Sequence, residues 1–251
     1  CDLDVEVGNG RVLGIFDNPL GITLLDVGIS SWTARCSNDT DIEDTAMVLV
    51  ERPQQLDAMR AHSCMRTSDE KIRCWGLNDH GQIGDGTRKD ALAPTLISTF
   101  EDLDITPQHI STGARHTCAV SQDGDLYCWG DNRFGQVDPS SSEPYFENPT
   151  LLAPEERFVS VAAGESHSCA ISIRGELSCW GTGEGGQLGL DDTTRTDSLE
   201  KVSNLRFLRL DAGATHTCAV TFDNLLYCWG DDLDEKLGNG AASGTRTPVE
   251  I

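Results

Sequence analysis

Cysteine and histidine side chains recur along this sequence at one fixed spacing, and they are the residues best suited to chemistry. Four segments align without gaps between their cysteines. They are HSCMRTSDEKIRCWG from His62, HTCAVSQDGDLYCWG from His116, HSCAISIRGELSCWG from His167 and HTCAVTFDNLLYCWG from His216. Thiols and imidazoles in such a pattern either form disulfides or bind a metal ion, so the geometry of each segment must discriminate between these two uses.

Each segment has the pattern of a β-hairpin whose two cysteines lie opposite each other. In the second segment, residues 122–124 fit a three-residue loop, in which Gly124 supplies the left-handed conformation that the loop needs. Counting outward from this loop, Cys118 faces Cys128 at a non-hydrogen-bonded pair of an antiparallel ladder. The Cα atoms at such a pair approach to about 4.5 Å, which is within the range of a disulfide bond.

The loop position of Gly124 is occupied by Gly175 in the third segment and by Asn224 in the fourth. Both residue types tolerate the left-handed conformation, whereas Glu70 in the first segment does not favour it, so the first turn is the least well specified. We predict one structural disulfide in each segment. The four pairs are Cys64–Cys74, Cys118–Cys128, Cys169–Cys179 and Cys218–Cys228.

Metal binding is the rival interpretation of the same residues. Zinc sites usually place two cysteines about two to four residues apart, which a pair separated across a whole hairpin does not match. Each repeated histidine could complete a set of two cysteines and one histidine, but such a set lacks an ordinary fourth ligand. We therefore predict no metal and no cofactor. Four disulfides imply an oxidising compartment, so we expect an extracellular, periplasmic or cell-surface protein.

The cysteine pairs mark a repeat of about 50 residues. An apolar run ending in a small-residue turn precedes each pair, a Gly-rich stretch follows it, and a short strand led by proline usually comes next. About four short strands per repeat predict an all-β fold, namely a β-propeller built from four-stranded blades. The four repeats span approximately residues 56–97, 108–152, 159–202 and 208–251.

A tryptophan follows the second cysteine of every pair and must therefore point to the opposite face of its sheet. We expect these tryptophans to pack between blades rather than to form a ligand cage. The repeated histidines are expected to be hydrogen-bonded structural residues, because equivalent positions on different blades do not converge on one reactive centre. The tryptophans are Trp75, Trp129, Trp180 and Trp229.

The repeats resemble those of the regulator of chromosome condensation family. The resemblance rests on STGARHTCAVSQDGDLYCWGDNRFGQ at 111–136 and AAGESHSCAISIRGELSCWGTGEGGQLG at 162–189, and it covers about residues 56 to 251. It implies a β-propeller, which in that family typically has seven blades. The cysteine staple resembles a variant found in secreted or surface proteins of bacteria.

Residues 1–55 match the repeat weakly and are expected to form a partial or degenerate blade. DLDVEVGNG at 2–10 is similar to DLDEKLGNG at 232–240, and this similarity predicts that the chain opens in the second half of a blade. Cys1 and Cys36 are left without a hairpin partner, and they either pair with each other or Cys1 has lost a partner upstream. Two readings are open, a piece of a longer propeller or a five-bladed ring. A cysteine at position 1 would also suit a bacterial lipid anchor.

Charge and hydropathy exclude several classes of partner. The chain has 19 Lys and Arg against 41 Asp and Glu, a formal net charge of -22. Such a surface repels nucleic-acid phosphates and anionic membranes, and it favours a basic protein partner over an acidic one. The simpler alternative is that the acidic surface only keeps the protein soluble. No apolar run is long enough for a transmembrane helix.

We expect a protein-binding or scaffold module without catalytic activity. The sequence contains no P-loop, nucleophile elbow, HExxH or dinucleotide-binding motif. The loops at 87–93, 138–149 and 191–198 vary most between repeats, and Tyr145 and Phe146 are the exposed-contact candidates within them. These two rings could equally pack onto their own blade. The alternatives are a secreted inhibitor of an extracellular enzyme and, as in the namesake of the family, a guanine-nucleotide exchange factor for a small GTPase.

Overall fold

The structure is a computed structural model that describes residues 53–191, 194–240 and 243–251, together with the strand backbone within residues 1–52. It divides into two compact units, Cys1–Arg52 and Pro53–Ile251, which are described separately. The side chains of Cys1 and Cys36, and with them the expectations about their pairing and a lipid anchor, lie outside the described residues.

The described backbone of the first unit forms five strands in two antiparallel sheets. One sheet has the order β1–β4–β5, and the other pairs β2 with β3. The strands are β1 (Leu3–Val7), β2 (Val12–Ile15), β3 (Ile22–Leu24), β4 (Ile29–Cys36) and β5 (Asp39–Leu49).

The second unit contains four sheets, each of four antiparallel strands in sequence order, which confirms the prediction of an all-β fold with four-stranded repeats. We call these sheets blades 1 to 4. Blade 1 is β6 (Pro53–Met59), β7 (His62–Thr67), β8 (Ile72–Gly76) and β9 (Ala91–Leu96). Blade 2 is β10 (Pro107–Thr112), β11 (His116–Ser121), β12 (Leu126–Asp131) and β13 (Tyr145–Leu152). Blade 3 is β14 (Phe158–Ala163), β15 (His167–Ser172), β16 (Leu177–Gly181) and β17 (Glu200–Lys201). Blade 4 is β18 (Phe207–Ala212), β19 (His216–Thr221), β20 (Leu226–Gly230) and β21 (Thr245–Glu250).

The hairpin between the second and third strands of each blade has the register predicted from its turn. In blade 2, Cys118 pairs with Cys128, and the loop closes through a hydrogen bond from Ser121 N to Asp125 O of 2.9 Å. Gly124 has φ +86°, the left-handed conformation that this loop requires. Glu70 adopts φ +64° at the equivalent position, so the first hairpin closes in the same way despite its less suitable residue.

Blades 1 to 4 pack face to face in order, and the first strand of blades 2, 3 and 4 contacts the first two strands of the blade before it. Each interface has its own buried cluster, in which the tryptophan of one blade lies with the disulfide of the preceding blade. Trp129, for example, is fully buried in a cluster that contains Cys64 and Cys74. The tryptophans of blades 2 to 4 are therefore packing residues, as their position after the second cysteine predicts.

One short helix was not anticipated from the sequence. α1 (Ser98–Asp102) lies between blades 1 and 2 and buries Phe100 beside Tyr127 and Trp129, at ring-centroid distances of 5.5 and 6.0 Å. Blades 3 and 4 begin their first strand with a buried phenylalanine, whereas blade 2 begins with Pro107. The helix thus supplies the aromatic ring that the strand itself lacks. A 3-10 turn at Leu233–Glu235 is the remaining helical element of the described residues, and no helix there is long and apolar enough to cross a membrane.

Candidate functional site

The eight cysteines of blades 1 to 4 form four disulfides, each between the second and third strands of its own blade. The Cα atoms of each pair lie 4.0 to 4.1 Å apart, which is the close approach expected at a non-hydrogen-bonded pair. These bonds are Cys64–Cys74, Cys118–Cys128, Cys169–Cys179 and Cys218–Cys228. The sulfurs are thus committed to covalent staples and not to metal ligation.

A hydrogen-bond network connects the repeated histidines of blades 1 to 3 with the next blade. His116 Nε2 lies 2.9 Å from the hydroxyl oxygen of Ser168, and that hydroxyl donates to Gln136 O at 2.8 Å. Because the serine hydrogen is used in the second bond, His116 must donate through Nε2 and keep Nδ1 unprotonated. Equivalent sets consist of His62, Thr117 and Gln82, and of His167, Thr217 and Gln187.

The same three carbonyl oxygens also accept a hydrogen bond from a tryptophan. Trp129 Nε1 donates to Gln82 O at 2.9 Å, and Trp180 Nε1 donates to Gln136 O at 3.0 Å. Trp229 completes the set with Gln187 O at 3.0 Å. Each glutamine carbonyl therefore joins two residues of the following blade, and the network fixes the spacing between blades.

Burial keeps these histidines neutral. It lowers the pKa of His116 and His167 to about 3 and that of His62 to about 4. The pKa of His216 is also lowered by burial. An imidazole that remains neutral and sealed at physiological pH is poorly suited to general acid or base catalysis. No group of three potential metal ligands among His, Cys, Asp and Glu occurs in the described part of the chain.

Glycine is required where the turn before each histidine approaches the ring. A Cβ atom at Gly113 would clash with the His116 ring and with the carbonyl oxygen of Gly164 in blade 3. These turns stack from blade to blade, because Ala114 N donates to Gly164 O at 3.1 Å and Glu165 N donates to Ala214 O at 3.0 Å. The turns of blades 2 to 4 consequently form a hydrogen-bonded row at one end of the strands.

We use the term loop face for this end of the strands in blades 1 to 3. It comprises the turns 59–61, 113–115 and 164–166 and the loops 77–90 and 131–147. Tyr145 lies on this face with its ring edge-on to His80, at a centroid distance of 5.2 Å. The guanidinium of Arg88 lies 5.5 Å from the Tyr145 ring centroid and forms a 2.9 Å ion pair with Glu147. Tyr145 is thus half-buried within a mixed aromatic and charged surface.

Phe146 occupies a different environment from its neighbour. Its half-buried ring packs against the cluster between blades 1 and 2 and also against the cluster between blades 2 and 3. The loop at 87–93 presents Leu92, which is 98% exposed. In the loop at 191–198, residues 192 and 193 lie outside the described residues.

Three arginines of the loop face did not stand out in the sequence. Arg60, Arg115 and Arg133 line a cavity of about 120 Å³, which we call the arginine pocket. Its other lining residues are Ala114, Asp131, Phe134, Glu165 and Ser166. Arg115 could have been singled out from the sequence. It lies in the turn directly before His116, and the turns before the repeated histidines are expected at the same end of neighbouring blades.

Comparison with protein families identifies the repeat. Two models of the family described as "Regulator of chromosome condensation (RCC1) repeat" match, one at residues 108–136, 158–187 and 209–234 and the other at residues 71–120 and 123–171. Together they cover more than half of the chain. Among curated proteins, the chain is 34% identical over 163 residues to the ultraviolet-B receptor UVR8 of Arabidopsis thaliana, a match that covers 61% of the chain and 35% of the receptor.

Two further relatives have the same repeats. A protein RCC2 homolog of Danio rerio is 34% identical over 51% of the chain and 26% of the relative. The probable E3 ubiquitin-protein ligase HERC4 of Homo sapiens is 30% identical over 57% of the chain and 14% of the relative. The chain therefore spans about a third or less of the length of these relatives.

Solved structures agree in fold. Human WBSCR16 superimposes with a TM-score of 0.74 at 18% identity, over 90% of this chain and 63% of that one. Yeast RCC1 (Prp20), solved bound to Kap60, superimposes with a TM-score of 0.69 at 22% identity, over 88% of this chain and 57% of that one. At these identities the likeness establishes the fold alone, and the fold is that of a β-propeller.

Proposed function

The chain belongs to the family of regulator of chromosome condensation repeats, and from this premise we propose that it is a non-catalytic, protein-binding propeller module that works in an oxidising compartment. The observation that carries the proposal is the use made of the repeated reactive residues. The repeated cysteines, histidines and tryptophans form disulfides and contacts between blades, and the loop face combines exposed aromatic and charged side chains that these structural roles do not use.

The loop face has the composition of a protein contact surface. Tyr145 and Phe134 supply aromatic area, and Phe134 is 44% exposed. Arg88 and Arg133 stand among them, and tyrosine, phenylalanine and arginine are enriched where proteins bind each other. The rigid turns below these side chains reduce the entropy that binding must overcome.

The four disulfides support an extracellular, periplasmic or cell-surface location. Cytosolic thiols are kept reduced, so a chain that closes one disulfide in every blade is suited to a compartment that maintains them. This consideration counts against guanine-nucleotide exchange on a cytosolic or nuclear GTPase, the activity associated with the namesake of the family.

The first test concerns the state of the thiols in natively produced protein. We expect the eight cysteines of blades 1 to 4 to resist alkylation until the protein is reduced, as measured by intact mass with and without a reductant. Free thiols throughout would contradict the proposed compartment and would favour GTPase exchange.

The second test concerns the contact surface. A photo-crosslinking amino acid is placed at Tyr145 on the loop face and, as a matched control, at Ile173, which is 64% exposed at the opposite end of the strands. We expect a covalent adduct with a protein of the medium or cell surface from position 145 and none from position 173. Equal adducts from both positions, or none from either, would contradict binding through the loop face.

A further inference from the structure

The charge of the arginine pocket is opposite to that of the chain. The chain has a formal net charge of -22, yet the pocket is lined by three arginines against two carboxylates. The lining itself therefore has one arginine more than it has carboxylates, and Asp79, which lies outside the lining, is connected to Arg115 only through His80.

Two of the three arginines are paired with the two carboxylates. Arg133 makes a bidentate contact with the buried Asp131, from Nε to Oδ1 at 2.9 Å and from the terminal nitrogen to Oδ2 at 2.7 Å. Arg60 of blade 1 forms a 2.8 Å ion pair with Glu165 of blade 3. These pairs leave Arg115 as the arginine of the lining that has no carboxylate partner there.

Arg115 has no carboxylate within ion-pair distance among the described residues. Its guanidinium donates to Nε2 of His80 at 3.2 Å, and His80 donates in turn through Nδ1 to Asp79 at 2.5 Å. This contact uses one guanidinium hydrogen of Arg115 and leaves the others available. Arg115 is half-buried, so water competes less strongly with a ligand for its guanidinium than it would at a fully exposed arginine.

A comparison of two equivalent loops adds a second observation. In blade 1, the amide of Gln82 donates to Asp79 Oδ1 at 3.2 Å. In blade 2, Gln136 has the same loop position, but Arg133 stands where blade 1 has Asp79. The amide nitrogen of Gln136 is buried and has no hydrogen-bond partner among the described residues. Gln136 does not line the pocket, so what bears on the pocket is that blade 2 places the arginine Arg133 in its lining at the position where blade 1 has a carboxylate.

The volume of the pocket restricts the size of its occupant. A cavity of about 120 Å³ is smaller than the roughly 300–1,000 Å³ typical of small-molecule sites. It suits one side chain of a larger partner, and the exposed ring of Phe134 at its rim can cover an aliphatic stem. Arginine is the residue best adapted to bind a carboxylate with two hydrogen bonds.

We propose that the arginine pocket binds a glutamate or aspartate side chain from an acidic segment of a partner protein, with Arg115 as the main contact. This inference rests on the protein-binding function proposed above and defines the chemistry of the partner at the loop face. It differs from the expectation of a basic partner, which followed from the net charge of the whole chain.

The test uses a fluorescein-labelled peptide of alternating glutamate and glycine, with a glutamine–glycine peptide of equal length as the probe control. Binding to the whole protein is followed by fluorescence anisotropy at low and high salt. We expect the glutamate peptide to bind and the glutamine peptide to bind at least about tenfold more weakly, and we expect Arg115→Gln to weaken glutamate-peptide binding by a similar factor.

Arg174→Gln is the matched control variant, because it removes the same charge from an exposed arginine at the opposite end of the strands. It should bind the glutamate peptide as the parent protein does, and circular dichroism should show that both variants are folded. Equal weakening by Arg115→Gln and Arg174→Gln, or no weakening by either, would overturn the proposal.

The failure of this inference can be distinguished from failure of the proposed function. The photo-crosslinker at Tyr145 is combined with Arg115→Gln, and the yield of the partner adduct is expected to fall. An unchanged adduct yield would refute the role of the arginine pocket while leaving protein binding through the loop face intact. If no adduct forms even when Arg115 is unchanged, the proposed function itself is refuted.

Discussion

Blades 2 and 4 have nearly the same hairpin sequence but differ in burial. HTCAVSQDGDLYCWG and HTCAVTFDNLLYCWG share both cysteines, the tryptophan and most apolar residues. All six residues of β11 are buried, whereas in β19 buried and half-buried residues alternate. Leu126 is fully buried, and its counterpart Leu226 is 39% exposed.

The difference follows the neighbours of each blade. Blade 2 lies between blades 1 and 3, whereas blade 4 has a described neighbour only on the side of Thr217, which hydrogen-bonds to Gln187 of blade 3. Blade 1 shows the reverse pattern, because His62 is buried towards blade 2 and Ser63 is half-exposed on its other face. In a repeat array, burial and hence stability thus depend on blade interfaces as well as on the repeat sequence.

The largest expected effect compares two tryptophans at equivalent positions. Trp180 is fully buried and hydrogen-bonded to Gln136 O, whereas Trp75 is only half-buried. We expect Trp180→Ala to lower the free energy of unfolding by about 3–5 kcal/mol and Trp75→Ala to lower it clearly less. Urea unfolding followed by far-ultraviolet circular dichroism measures both, and equal losses would show that the interfaces do not carry the stability.

The next effect separates the covalent staple from its packing. Removing a disulfide by two alanine substitutions costs about 2–4 kcal/mol through the unfolded chain, and the closed loop has the same separation of 10 residues in blades 2 and 4. We therefore expect the double variant Cys118→Ala, Cys128→Ala to lower the free energy of unfolding more than the double variant Cys218→Ala, Cys228→Ala. The difference should equal the packing that the more buried sulfurs of blade 2 lose.

Partial reduction gives an independent measurement of the same comparison. Cys118 is fully buried and Cys218 is half-buried, so a reductant should reach the disulfide of blade 4 before that of blade 2. Alkylation and peptide mass spectrometry at increasing times would establish the order. Simultaneous loss of both bonds would contradict a difference in local protection.

Local patterns in the sequence were sufficient to predict the hairpins. The disulfide pairs, the register around Gly124 and the opposite orientation of Trp129 all follow from strand alternation and turn geometry within about fifteen residues. These features repeat, so each copy supports the others. The packing of the tryptophans between blades and a structural, hydrogen-bonded role for the histidines also followed from their repetition, whereas the contact of the histidines with the next blade was not predicted.

The candidate site required information that no single repeat contains. The Arg60–Glu165 ion pair joins blades 1 and 3, and the contact of Arg115 with His80 joins blades 2 and 1. The role of Phe100 likewise depends on a second element, because this ring of α1 takes the place of the phenylalanine that the first strand of blade 2 lacks at Pro107. Such contacts follow from the relative placement of blades, which local periodicity does not specify.

The third prediction uses pH to compare the buried histidine of blade 2 with the half-buried one of blade 4. Burial lowers the pKa of His116 to about 3, so the folded state keeps the ring neutral while the unfolded chain binds a proton below about pH 6.5. The unfolded state then binds more protons, and stability falls as pH decreases from about 6.5 towards 3.

At about pH 5 this linkage is worth on the order of 2 kcal/mol for His116. The free energy of unfolding of the parent protein decreases between about pH 7.5 and pH 5. His116→Gln should make this decrease smaller than His216→Gln does. Comparing the two pH values within each variant cancels the cost of the lost hydrogen bond. Identical pH dependence in both variants would show that the two histidines have equivalent environments.

The last comparison concerns one loop residue that anchors blade 2 and its counterpart in blade 4. Asn132 Nδ2 donates to the carbonyl oxygens of Asp138 and Glu143 at 3.0 and 2.9 Å, while its Oδ1 accepts from Val137 N at 3.1 Å. Asp232 accepts from Leu237 N at 2.8 Å, but its second carboxylate oxygen is buried and has no hydrogen-bond partner among the described residues.

A carboxylate cannot donate the hydrogen bonds that the asparagine amide makes. We therefore expect Asp232→Asn to raise the free energy of unfolding by about 1 kcal/mol, because it replaces a buried unpaired oxygen with a donor. The reciprocal Asn132→Asp should lower it by about 1–3 kcal/mol, since it removes two hydrogen bonds from a buried loop. Urea midpoints of the two variants test this pair, and a destabilised Asp232→Asn would show that the loop of blade 4 is held by different contacts from that of blade 2.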